Sequence, residues 1–225
     1  MEQAARCPLR VLVFAASLRH DSLNAKLAAL VEGIVTRHGA EVVHGSMRDF
    51  DCPSYDGDVE TGAGIPAGAQ KLRDALHGCD AFVIASPEYN ASMPGILKNV
   101  VDWTSRFRPQ PFNGKQGFLL SASPSMAGGN RGLWSLRIPL EHLGARVYPD
   151  MFSLPQAHEA FREDGHLTRE STEKRLETIV SCFLDITEAS KHYGRMKKQW
   201  FEFLGEHPNE ATDRVEATEV TASPA

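Results

Sequence analysis

From residue 10 to residue 193, short apolar runs alternate with amphipathic helical stretches, and nothing else in the chain limits its fold so tightly. RVLVFAA (10–16) is apolar throughout, so as a strand it must be buried on both faces. Leu23, Leu27, Leu30, Val31 and Ile34 then recur at i, i+4, i+7, i+8 and i+11, the spacing of a helix that opens near Asp21 or Ser22. Further strands are expected at EVVHGSM (41–47), DAFVIAS (80–86), QGFLLSA (116–122) and ARVYPDMF (145–152). Helices are expected at AQKLRDALHG (69–78), PGILKNVVDWTSR (94–106), RGLWSLRIPLEHLG (131–144) and about 169–193. Such alternation implies an α/β fold: a doubly wound five-stranded parallel sheet, helices on both faces, in the order 2-1-3-4-5. In that order a ligand crevice opens at the carboxyl ends of strands 1 and 3.

The expected organisation is an N-terminal tail (1–8), one domain (9–193) and an acidic C-terminal extension (194–225), with a short helix through KKQWFEFLG (197–205) and disorder after it. The Gly/Pro/Asp-rich segment 51–68 reads as a surface connection. The net charge of -5 is concentrated at the end, where Glu206, Glu210, Asp213, Glu216 and Glu219 face only Arg214. A body near neutrality offers no broad basic surface, so nucleic acid is not an expected partner. No run approaches the roughly 18 apolar residues of a membrane span, and MEQAARCPLR is too polar for a signal peptide, so a cytoplasmic protein without membrane association is expected. Cys7, Cys52, Cys79 and Cys182 form no C-x-x-C pair, and the nine histidines show no H-x-x-x-H spacing. Neither a metal site nor a thiol redox pair is expected, which leaves electron chemistry to a cofactor.

GAGIPA (62–67) matches the loose G-x-G-x-x-A dinucleotide pattern, but it follows the acidic run DGDVET instead of a strand and reads as a loop. Walker and G-x-S-x-G motifs are absent. The first crevice loop, AASLRHDSLN (15–24), offers the hydroxyls of Ser17 and Ser22, the Asn24 amide, the Arg19 guanidinium and the open N–H groups of a helix start. This set suits a phosphate, though ordinary helix capping explains part of it equally well. The second, SPEYNASMPG (86–95), is stiffened by Pro87 after the strand and by Pro94 in the first turn of the next helix, and it carries the flat ring of Tyr89. Together the loops suit a planar heterocycle with a phosphate tail.

The pair ASLRHDSLN and SPEYNASMPGILKNVVDW resembles the NAD(P)H-dependent FMN reductase family of flavodoxin-like quinone, azo-dye and chromate reductases. The likeness runs over about residues 9–190 and includes the Gly-rich turn in SASPSMAGGNRG (121–132). It implies that Ser17, Arg19, Ser22 and Asn24 hold the FMN phosphate, that Pro87, Glu88, Tyr89 and Asn90 line the isoalloxazine, and that Ser121, Gly128 and Gly129 close its other side. One departure is Ala16, where the family carries glycine, so the backbone there must accept a Cβ.

The resemblance also implies the function. FMN would be the bound cofactor and NAD(P)H the hydride donor, with two electrons passing to a small acceptor such as a quinone, azo compound, flavin or metal oxyanion. No side chain is expected to act as acid or base, because the flavin carries the chemistry. NADPH is slightly favoured, but Arg19, Arg106, Arg108 and Arg131 serve equally well as surface charges or as partners of a 2′-phosphate. The alternative is a flavodoxin-type electron carrier that binds FMN without oxidising nicotinamide directly. Family members form homodimers, some pairing again into tetramers. The doubly apolar helix of PGILKNVVDW is expected to bury Trp103 at or near such a contact, the alternative being that helix 4 or the C-terminal extension of the same chain covers both stripes.

Overall fold

A computed structural model of the chain describes residues 8–192. The expected tails, including the short helix at 197–205, lie outside the described residues except for Pro8. In chain order the elements are β1 (Arg10–Ala15), α1 (Leu23–Arg37), β2 (Glu41–His44), α2 (Gly57–Ala63), α3 (Ala67–His77), β3 (Ala81–Ala85), α4 (Gly95–Thr104), β4 (Gln116–Ala122), α5 (Asn130–His142), β5 (Arg146–Val147), β6 (Phe152–Leu154) and α6 (Glu170–His192). All strand pairs are parallel, and the order is β2-β1-β3-β4-β5 with β6 also on β4. The flavodoxin-like order 2-1-3-4-5 is therefore present.

Alternate residues of each strand divide between two cores. Val11, Val13, Val83, Phe118 and Leu120 pack under α1 and α6, while Leu12, Phe14, Phe82, Ile84 and Leu119 pack under α3, α4 and α5. A buried Val, Leu, Ile or Phe side chain contributes about 1.5–3 kcal/mol, so a strand apolar on both faces is stable only between two helical layers. No described helix is long and apolar enough to cross a membrane.

Two expectations are corrected. The single strand ARVYPDMF is interrupted: Val147 pairs with Gly117 and Phe152 with Leu120, so residues 148–151 stand opposite only Phe118 and Leu119. Pro149 has no N–H to give to the ladder, and the chain bulges around it. The surface connection 51–68 carries a short helix that was not expected, capped by Asp56, which accepts from the Asp58 N–H at 2.8 Å.

That connection also changes the expectation for Trp103. Gly68 sits so close to the Asp51 carbonyl that a Cβ would collide with it, and the chain leaves and re-enters the fold through this neck. The loop between folds onto α4. Trp103 Nε1–H donates to Pro53 O at 2.8 Å, Tyr55 meets the indole edge-on at 4.9 Å, and Asn99 Nδ2 donates to Cys52 O and Pro53 O. Arg106 donates to both carboxylate oxygens of Glu60. Trp103 is thus fully buried by its own chain, and no partner is needed to cover it.

Candidate functional site

Because β1 and β3 are parallel neighbours with Ala15 opposite Ala85, the loops that follow them emerge side by side at the carboxyl edge of the sheet. The β4 loop joins them, since Ala85 lies opposite Leu120. This is the point where the strand order reverses and where such sheets bind ligands. The structure brings the three crevice loops together there.

The first loop is shaped by its own hydroxyls. Ser17 Oγ accepts from the Arg19 N–H at 3.3 Å, and Ser22 Oγ caps α1 by accepting from the Ala25 N–H at 3.3 Å. The two N–H groups before it at this open helix end, those of Leu23 and Asn24, have no partner among the described residues. The Arg19 side chain is exposed and likewise has none. Buried Asn24 ties the loop to the sheet: its Nδ2 donates to Ala122 O and its Oδ1 accepts from Ala122 N–H, both at 2.9 Å. One amide hydrogen remains to face a ligand. Ala16 is buried and gives its N–H to Ala85 O, and its φ is not positive, so the Cβ is accommodated where the family has glycine.

Sequence reasoning missed Arg48. It follows β2, and its Nη2 donates to Leu18 O, bracing the first loop from the neighbouring strand. Only the sheet order brings residue 48 to residue 18.

The second loop is a tight hairpin. Tyr89 and Ser92 exchange N–H···O bonds of 2.9 and 3.0 Å, with Asn90 and Ala91 between them at φ 51° and 60°. Asparagine tolerates this left-handed region and alanine does so at a cost. Tyr89 is half exposed on the rim. The third loop turns through Gly128 and Gly129 at φ 61° and 83°, and a Cβ on Gly129 would collide with Ser121 Oγ. That hydroxyl is buried and has no partner among the described residues.

Glu88 behaves differently from its neighbours. Its side chain is only 7% exposed, with Oε2 accepting from the Gly132 N–H at 3.1 Å and Oε1 from Arg131 Nε at 2.9 Å. The carboxylate is spent on the start of α5. Burial pushes this carboxyl up, but the Gly132 N–H and the Arg131 guanidinium outweigh it and hold it below the ordinary carboxylate range. Of the four arginines considered for a 2′-phosphate, Arg131 pairs with Glu88, Arg106 with Glu60, and Arg108 with the Ser105 and Phe107 carbonyls. Arg19 alone of them has no described partner.

These features fit a flat ligand with one phosphate. Two free helix-start N–H groups and a free guanidinium lie on one loop, a half-exposed aromatic on the next, and an unspent buried hydroxyl beneath the third. No group of three or more His, Cys, Asp or Glu placed to hold a metal occurs among the described residues.

Residues 9–159 match the model of a family described as NADPH-dependent FMN reductase. A quinone reductase of Escherichia coli is 37% identical over 139 residues, covering 62% of this chain and 73% of its own. An NAD(P)H-dependent FMN reductase of Pseudomonas aeruginosa is 34% identical over 178 residues, covering 76% and 93%. Among solved structures, the flavoenzyme NAD(P)H:(acceptor) oxidoreductase FerB of Paracoccus denitrificans superposes with a TM-score of 0.69 at 30% identity, covering 81% of this chain and 98% of that one.

Proposed function

The chain belongs to the NADPH-dependent FMN reductase family, and from that premise we propose that it takes hydride from NAD(P)H, with some preference for NADPH, and delivers two electrons to a planar apolar acceptor of the quinone type. Bound FMN would supply the hydride and electron chemistry; the protein supplies position and electrostatics. Arg19, the Leu23 and Asn24 N–H groups and the Ser17 and Ser22 loop would hold its phosphate, a charge-assisted set that needs no metal. Tyr89, Pro87 and Asn90 on one side and the Gly128–Gly129 turn over Ser121 on the other would bound its ring. The N–H groups of Asn90 and Ala91, which have no described partner, are suited to stabilising negative charge. No described side chain is required to move a proton.

The choice of a quinone rests on the rim. Each crevice loop exposes one large apolar side chain: Leu18 at 39%, Tyr89 at 50% and Met126 at 76%. Such a rim favours a flat hydrophobic acceptor over a hydrated oxyanion, whose desolvation it could not offset. Comparing kcat/KM for benzoquinones, an azo dye and chromate under one donor tests this. Quinones should lead by at least tenfold, and chromate leading would reject the assignment. We also propose a homodimer in a cytoplasmic setting. Its contact would run through α5, where Trp134 and Ile138 are exposed one turn apart, because α4 is already covered. Light scattering at micromolar concentration should give twice the monomer mass.

A further inference from the structure

We propose that Glu88, read from sequence as a wall of the flavin slot, is instead its positioning residue: a clamp that fixes the second crevice loop to the third through the start of α5. This rests on the reading that the crevice holds FMN.

The observations converge from both loops. Glu88 reaches across to two consecutive residues of α5, taking the Gly132 N–H with one oxygen and the Arg131 guanidinium with the other. One turn on, Ser135 Oγ accepts from the Met93 N–H at 2.8 Å and lies 3.3 Å from Ser92 Oγ, so the far end of the hairpin is fastened to the same helix. Between these anchors the backbones nearly touch. A Cβ on Gly132 would stand 3.1 Å from both Glu88 Cα and Ser92 O, closer than side chains ordinarily approach, and only glycine leaves that space. The third loop is part of the same unit, since α5 begins directly from Gly129. The hairpin and the Gly-rich turn thus form one body, and a slot between them has a fixed width before any ligand enters.

The chemistry of the clamp explains why a carboxylate stands there. The first N–H groups of a helix lack partners and its start carries partial positive charge, so an anion is stabilised there. At α1 that place is open, which suits a ligand phosphate. At α5 it is filled by the protein's own anion. The starts of α1 and α5 are therefore not equivalent: one receives the ligand's charge, and the other is satisfied internally and holds the walls. Arg131 is the only charged side chain against Glu88 among the described residues.

Glu88→Gln tests the clamp, because it keeps the shape and one acceptor for the Gly132 N–H while losing the charge that pairs with Arg131. Arg131→Gln, at an exposed position, removes the same pair from the other side should the first variant fold poorly. Glu141→Gln removes another α5 ion pair, with Arg137, and serves as the control. Two quantities are read: amide hydrogen exchange of residues 87–93 and 123–132 in FMN-free protein, and the FMN dissociation constant by fluorescence quenching. The clamp predicts at least tenfold faster exchange in both segments for Glu88→Gln and Arg131→Gln, and about tenfold weaker FMN binding, with the control like wild type. Unchanged exchange together with unchanged affinity overturns it. Weaker FMN binding with unchanged exchange also overturns it, because Glu88 would then touch the ligand itself. Wild-type protein that fails to bind FMN refutes the functional reading instead, while the exchange data still decide the clamp.

Discussion

Asn24→Ala separates fold from ligand binding more sharply than any other substitution at this site. Asn24 is 3% exposed and joins α1 to the end of β4, a residue 98 positions away in sequence, through paired 2.9 Å bonds to Ala122. Truncation orphans a buried N–H and a buried C=O at once. Each such group costs about 1–3 kcal/mol. Water entering the small space offsets part of this, so we expect a loss of about 3 kcal/mol, a large share of the roughly 5–15 kcal/mol of a whole domain. For a chain of this size each kcal/mol moves Tm by about 2–4 °C, so the midpoint should fall by roughly 6–12 °C. The assays are urea and thermal unfolding of FMN-free protein followed by circular dichroism, since bound ligand would add its own stabilisation. A loss below about 1 kcal/mol, accompanied by a collapse of FMN affinity, would refute the reasoning and make Asn24 a ligand residue first.

Arg19→Ala should weaken FMN binding about 10- to 100-fold, the value of one charge-assisted contact to phosphate, and should leave unfolding of the FMN-free protein unchanged; equal affinity would return Arg19 to the bare surface. Ala91→Gly should raise stability by about 0.5–1 kcal/mol, because relief of the left-handed φ of 60° exceeds the entropy that glycine adds to the unfolded chain, and a destabilised variant would contradict the hairpin geometry. Glu173 accepts from His166 Nδ1 at 2.6 Å and from the Leu167 N–H at 2.7 Å; burial raises this carboxyl, but those two partners outweigh it and hold it low. A carboxyl depressed on folding contributes stability above its unfolded pKa and loses it as pH falls through the folded one. Glu173→Gln should therefore flatten the acid limb of the stability curve below about pH 4.5, and an unchanged limb would show the carboxyl to be unperturbed.

The sheet order was legible because β1 and β3 are apolar at every buried position and β4 is apolar through its centre, Phe118–Leu120, and only a doubly wound sheet buries both faces of three neighbouring strands. The two principal crevice loops were legible for a related reason: Pro87, Pro94 and the cluster Ser17, Ser22 and Asn24 stand where strands end and helices begin, and such positions advertise themselves locally. Long-range pairings do not. Nothing near Glu88 announces that its carboxylate reaches α5, 44 residues on, nor does anything near Arg48 point to Leu18. The helix at Gly57–Ala63 was hidden because no residue in it is buried, so it carries no apolar period; its signal was the Asp56 cap alone. Trp103 misled for a different reason. An apolar helix face shows that a cover exists, but not whether the cover is a second molecule or, as here, the chain's own loop around Pro53 and Tyr55.

The central claim is that this crevice binds FMN and that nicotinamide reduces it directly. Anaerobic stopped-flow mixing of the FMN-loaded protein with NADPH and, separately, NADH tests it most directly, with the visible absorbance of the oxidised flavin as the signal. The account predicts bleaching in a single turnover within seconds, saturable in the donor, followed by recovery of the colour when a benzoquinone is added. A protein that takes up FMN but stays yellow with either donor would be an electron carrier of the same fold and would contradict the reductase assignment. One that takes up no FMN would contradict the site itself.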